Sequence, residues 1–138
     1  MAIYILSYLT TGLIFLGLDA VWLGTMATRV YRPLMGDLAQ EGFSFAPAAI
    51  FYLMYIVGIV IFAIHPALVS GKWTTALIYG LLFGLMAYGT YDLTNQATLK
   101  NWPTALTLID MSWGTVATGL SATLGFLAAR GLGRWMGL

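Results

Sequence analysis

Four long apolar runs occupy nearly all of this chain, and they decide what it can fold into. They extend over about Ile3–Met26, Pro47–His65, Trp73–Thr94 and Pro103–Ala129, and no charged residue stands between Glu41 and Lys72. A helix crossing the hydrocarbon of a bilayer needs roughly 20 apolar residues, so each run suits one crossing. Of 138 residues, 60% are hydrophobic and 8% charged, whereas soluble domains carry about 25% charged residues. Such a chain cannot cover a surface that faces water. The expectation is all-α: an integral membrane bundle of four transmembrane helices, one domain over residues 1–138, in contact with the lipid bilayer. A formal net charge of +1 gives no footing for a nucleic-acid partner. Cysteine is absent and histidine occurs once, which excludes disulfides, thiol chemistry, structural zinc and histidine-rich di-iron sites. Residues 1–18 hold no Lys or Arg and the apolar run continues past them, so a retained span is expected rather than a signal peptide.

The connections carry the remaining charge. Thr28–Ser44, with Arg29, Arg32, Asp37 and Glu41, reads as the one real loop, an interfacial segment with room for a short amphipathic helix. Pro47 suits the first turn of the second span. Pro66 disfavours helical geometry at His65, so that span ends or kinks there. Lys72 marks a turn, Asn95–Trp102 a polar connection, and Arg130 with Arg134 a flexible basic tail. Trp73, Trp102 and Trp135 stand at span ends, where amphipathic rings anchor at the headgroup level. Four crossings put both termini on one side, B, opposite the loop side, A. Arg29, Arg32 and Lys100 on side A nearly balance Lys72, Arg130, Arg134 and the terminal amine on side B; the expectation is termini in the cytoplasm.

Asp19, Asp92 and Asp110 are the expensive residues. A carboxylate at the centre of a membrane helix costs about 2.5–3.5 kcal/mol on insertion scales, so it faces the bundle interior and finds a partner. At 1.5 Å per residue, Asp19 and Asp110 each lie roughly 10 Å below the side A boundary, with Asp92 shallower. Three helices thus bring an acid to one half of the bilayer, and these three are the candidate catalytic residues, Asp19 and Asp110 foremost. Asp19 and Trp22, and again Asp110 and Trp113, put an indole one turn after an acid, so that a donor and an acceptor share a wall. Gly84, Tyr88, Asp92 and Asn95 form one stripe on the third span, where Gly80 and Gly84 permit close helix approach. Asp110, Gly114 and Thr118 form another on the fourth. Trp22, Tyr88, Tyr91, Asn95 and Trp113 are therefore the candidate ligand-binding residues of a side A pocket. The competing reading is structural: Arg29, Arg32 or Lys100 reaches down and neutralises the acids. His65 lies near side B and is assigned a structural role. Oxygen ligands for a hard cation are present, but no paired-aspartate motif or glycine-rich phosphate loop. No metal site is assigned and no cofactor is named.

Tyr91-Asp92-Leu93-Thr94-Asn95, Ala97-Thr98-Leu99, Trp102-Pro103 and Asp110 with Trp113-Gly114, together with Asp19, Trp22 and Phe51-Tyr52, resemble an uncharacterised family of four-span bacterial membrane proteins. The resemblance covers essentially the whole chain. It implies a bacterial cytoplasmic-membrane location and a gene neighbourhood with cyclopropane-fatty-acid synthase-like enzymes, hence lipid metabolism, but no established activity. The leading expectation is a pocket that binds or processes a lipid or other amphiphile, with Asp19 or Asp110 as general acid or base. A proton- or cation-coupled transporter acting as a homo-oligomer, and an accessory subunit of a membrane lipid enzyme, are the alternatives. Whether the chain is an enzyme stays open at this level.

Overall fold

The computed structural model describes residues 1–138 as helices alone. Four rods run back and forth. The first is α1 (Ala2–Met26), prolonged by a π-helical turn (Ala27–Tyr31), α2 (Arg32–Met35) and a 3₁₀ turn (Gly36–Leu38). The second joins α3 (Phe45–Ile59), a π turn (Val60–Ile64) and α4 (His65–Ser70). α5 (Trp73–Thr98) and α6 (Thr104–Trp135) complete the bundle. The first three rods are long and apolar enough to cross a membrane. α6 has 32 residues but a less apolar composition, and its position explains why. It packs on both α5 and α1, burying Gly114, Thr118, Ser121 and Gly125 among others. A helix enclosed by protein gains more from small residues that permit close contact than from lipid solubility.

Several boundaries differ from expectation. The segment expected as a loop from Thr28 to Ser44 is helical as far as Leu38. Pro66 neither ends nor breaks its rod. A proline removes one N–H and crowds the carbonyl four residues back, and the wider π turn just before it accommodates both. Pro33 follows the π turn at Ala27–Tyr31 in the same register, each proline standing two residues beyond its turn. α5 runs on to Thr98 rather than ending near Thr94. The basic tail is helix, not flexible coil: Arg130 donates to the Gly71 carbonyl at 2.9 Å, and Gly133 packs against Ile3 and Leu6.

The last contact places both termini at one end of the bundle, as four crossings require. Tyr4 and His65 join there through a 2.7 Å hydrogen bond between the phenol and Nδ1, which gives His65 its structural partner. Midway, Phe15, Ile59, Ile64 and Phe126 have 0% exposure and fill the core. α5 meets α6 through glycine. A Cβ on Gly80 would lie 2.8 Å from that of Ala122, and one on Gly84 would strike the Gly114 carbonyl and Thr118.

Candidate functional site

The three acids of the spans, Asp19, Asp92 and Asp110, collect at the opposite end from the termini. Asp19, on α1, is 6% exposed and accepts two hydrogen bonds, from the Tyr52 hydroxyl and from Trp113 Nε1 at 3.1 Å. Trp22 Nε1 donates to the Tyr31 hydroxyl at 2.9 Å. That hydroxyl donates in turn to Asp110 Oδ1 at 2.9 Å. The Trp22 and Trp113 rings stack with centroids 4.4 Å apart and planes 2° from parallel. Each acid is thus served by the indole of the other helix: Asp19 of α1 by Trp113 of α6, Asp110 of α6 by Trp22 of α1 through Tyr31. The acid–indole spacing on each helix does bring these residue types together, but the pairing is crossed between helices.

Asp92 is different. It has 0% exposure, and neither carboxyl oxygen has a hydrogen-bond partner. The sequence places it near a helix end, as the shallowest of the three. Instead α5 continues beyond it, and Trp102 and Leu106, both buried, close around it. It shares with Asp110 a cavity of about 450 Å³, near enough for the two side chains to interact. Tyr31, Arg32, Phe43, Tyr91 and Trp102 line the same cavity. No basic side chain neutralises these acids. The Arg32 guanidinium donates to the carbonyls of Gln40 at 2.9 Å and Gly42 at 3.2 Å, so the structural ion pairs open to Arg32 are not formed. An unpartnered buried carboxyl loses its hydration without compensation. This corner of the fold is therefore stable only because the rest of the bundle enforces it.

A second cavity of about 360 Å³ adjoins the first, sharing Tyr91 and Asp110 with it and adding Phe51, Ala87 and Tyr88. Of the expected ligand-binding residues, Tyr88 and Tyr91 line these cavities. Trp22 and Trp113 form the wall behind, and their outer edges border a shallow groove with Met26, Leu108 and Val116. Asn95 lines neither cavity. No group of His, Cys, Asp and Glu side chains is arranged to hold a metal ion.

The sequence reading assigned no role to Tyr31 and Tyr52, the two phenols that bond the acids. Tyr31 fell in the presumed loop. For Tyr52 a signal existed, since a phenol inside an apolar span needs an acceptor, and two acids were on hand. Trp102, expected as an interfacial anchor, is 8% exposed and donates its N–H to Thr107 Oγ1 at 3.0 Å. It is a cavity wall, whereas Trp73 and Trp135 do stand exposed at span ends.

No curated protein and no solved structure matches the chain. The family described as a predicted membrane protein (DUF2177) matches residues 4–127. The chain belongs to that family of membrane proteins of unknown function.

Proposed function

We propose that this membrane protein binds a lipid or other amphiphile, with the polar end of the ligand in the cavity walled by Asp92 and Asp110. The observation that carries this reading is Asp92: a buried carboxyl with no donor from the protein, on the lining of a cavity of about 450 Å³. Intramembrane acids are costly and are retained where they do something. Asp19, by contrast, has its hydrogen bonds satisfied inside the protein and acts as a positioning residue, holding Trp113 and Tyr52 in place. Asp110 and Asp92 are the pair placed for proton transfer to or from a bound headgroup.

The filled core at Phe15, Ile59 and Phe126 favours binding over conduction, because the cavity has no open continuation towards the termini. Native mass spectrometry in a mild detergent provides the test. Wild type is expected to retain a lipid or small amphiphile that Asp92→Asn and Asp110→Asn lose at equal protein recovery. Adducts identical in all three proteins would remove the reading and leave a role as an accessory subunit in its place. The same spectra report whether the chain associates with itself.

A further inference from the structure

The two adjoining cavities also constrain what the ligand is. The larger one has Asp92 and Asp110 on its lining and one cation, Arg32, whose guanidinium is turned to the carbonyls of Gln40 and Gly42 rather than to the acids; four of its walls are aromatic: Tyr31, Phe43, Tyr91 and Trp102. Tyr91 and Trp102 meet edge to face with centroids 5.8 Å apart, and both line the cavity. Acids with aromatic faces form the environment that recognises an ammonium group, by charge and by cation–π attraction. A carboxyl buried without a donor is completed by a group that supplies both a positive charge and N–H bonds.

The smaller cavity shows where the rest of such a molecule goes. It lies between α3 and α5, with Phe51 from one and Ala87, Tyr88 and Tyr91 from the other, and Asp110 of α6 is also on its lining. Lower down this seam is shut. Phe83 stacks on Tyr55 at 5.2 Å and on Phe62 at 5.5 Å, and sits where a Cβ on Gly58 would touch it at 2.7 Å. Above Tyr55 the two helices part, and the close backbone approach of the second rod to α5 lies at Val60–Ile64 and α4. The gap faces the flank of the bundle, where Phe51 and Tyr91 are exposed, and that flank is lipid in a membrane.

We propose that the ligand is an ammonium-bearing amphiphile, its head between Asp92 and Asp110 and its chain leaving sideways between α3 and α5. This rests on the amphiphile-binding reading above and adds the charge of the head and the route of the chain. Two sources offer that chemistry, the amino headgroup of a phospholipid and a free alkylamine.

The test measures retention on the purified protein, in a neutral maltoside detergent, of three probes with one chain length: dodecylamine, dodecanol and dodecanoate. Wild type is expected to retain dodecylamine about tenfold better than the others, a ratio that corresponds to about 1.4 kcal/mol. Asp92→Asn and Asp110→Asn are expected to abolish the preference. Ala87→Trp, which fills the lateral gap and leaves both acids in place, is expected to weaken dodecylamine severalfold while sparing butylamine. Equal retention of dodecylamine and dodecanol by wild type would overturn the ammonium assignment, and needs no variant to be observed. If that shared retention still depended on the acids, amphiphile binding itself would stand. If no probe depended on them, both readings would fall. Full dodecylamine binding by a well-folded Ala87→Trp protein would overturn the lateral route. Phosphatidylethanolamine and phosphatidylglycerol, compared in the same format, separate the sources. Selective retention of phosphatidylethanolamine points to a phospholipid headgroup; indifference to both alongside dodecylamine binding points to a free amine.

Discussion

The three intramembrane acids look alike in the sequence, and their surroundings give them opposite parts in stability. Asp19 is an acceptor for two donors that have no other outlet, the Tyr52 hydroxyl and the Trp113 N–H. Removing an acceptor while leaving its donors buried costs about 1–3 kcal/mol, somewhat less in membranes, where the unfolded state also finds partners. Asp19→Ala is therefore expected to lower the thermal midpoint in detergent by several degrees. Asp92 accepts no hydrogen bond from a donor elsewhere in the bundle, and its one close polar neighbour is Asp110, another acid. Asp92→Leu exchanges an unsatisfied buried carboxyl for an apolar side chain of similar size and is expected to hold or raise the midpoint while abolishing ligand retention. Stability and function then move in opposite directions at one position, which is the mark of a strained binding group. A fall in midpoint for Asp92→Leu as large as that for Asp19→Ala would mean that Asp92 is an internal tie.

At the scale of helices, the apolar runs make the number of rods and the start of each legible, because bilayer thickness leaves few alternatives. What the sequence obscured was how rods continue through irregular turns. Pro66 reads as an end or a kink and Pro33 lies within the presumed loop, and the π turns that accommodate them have no signature in composition. That is why Tyr31 was assigned to a loop and its bond to Asp110 was missed. The helix also runs further past Asp92 than the sequence suggests, since polar residues Asn95 to Thr98 still belong to α5. The glycine pattern was read more successfully: Gly80 and Gly84 do form the close seam of α5 on α6. Gly84→Ala forces a methyl into the Gly114 carbonyl and Thr118, and overpacking of this kind costs about 1–3 kcal/mol. Gly17, also helical, would have nothing within 4 Å of an added Cβ, so Gly17→Ala is expected to be neutral or mildly stabilising, by up to about 1 kcal/mol. Reversible unfolding of the two variants in mixed micelles compares these seams directly. A Gly84→Ala protein as stable as Gly17→Ala would show that α5 and α6 do not pack this tightly.

For the molecule as a whole, the decisive variable is which leaflet the cavity faces. The bundle puts the termini, His65 and Arg130 at one end and the acids at the other, so the orientation of the chain fixes the side from which a headgroup enters. Basic residues are almost balanced between the two ends, and the rule that places positive loops in the cytoplasm therefore discriminates little. Hydrogen bonding does not shift that balance: Arg32 is bound to two carbonyls of its own loop, and Arg130, at the other end, to the Gly71 carbonyl. The terminal amine alone tips the count, so the expectation stays with termini in the cytoplasm, which would open the cavity to the outer leaflet. Because the chain has no cysteine, single substitutions report this without background. Gln40→Cys, at the cavity rim, is expected to react in intact cells with a thiol reagent that does not cross membranes. Lys72→Cys, at the end that carries the termini, is expected to react only after permeabilisation. The reverse pattern would invert the molecule and make the inner leaflet the source of ligand, leaving the cavity chemistry as it is. Labelling of both positions from one side would contradict the alternation of four crossings itself, since it would place the two ends of the second rod on the same face of the membrane.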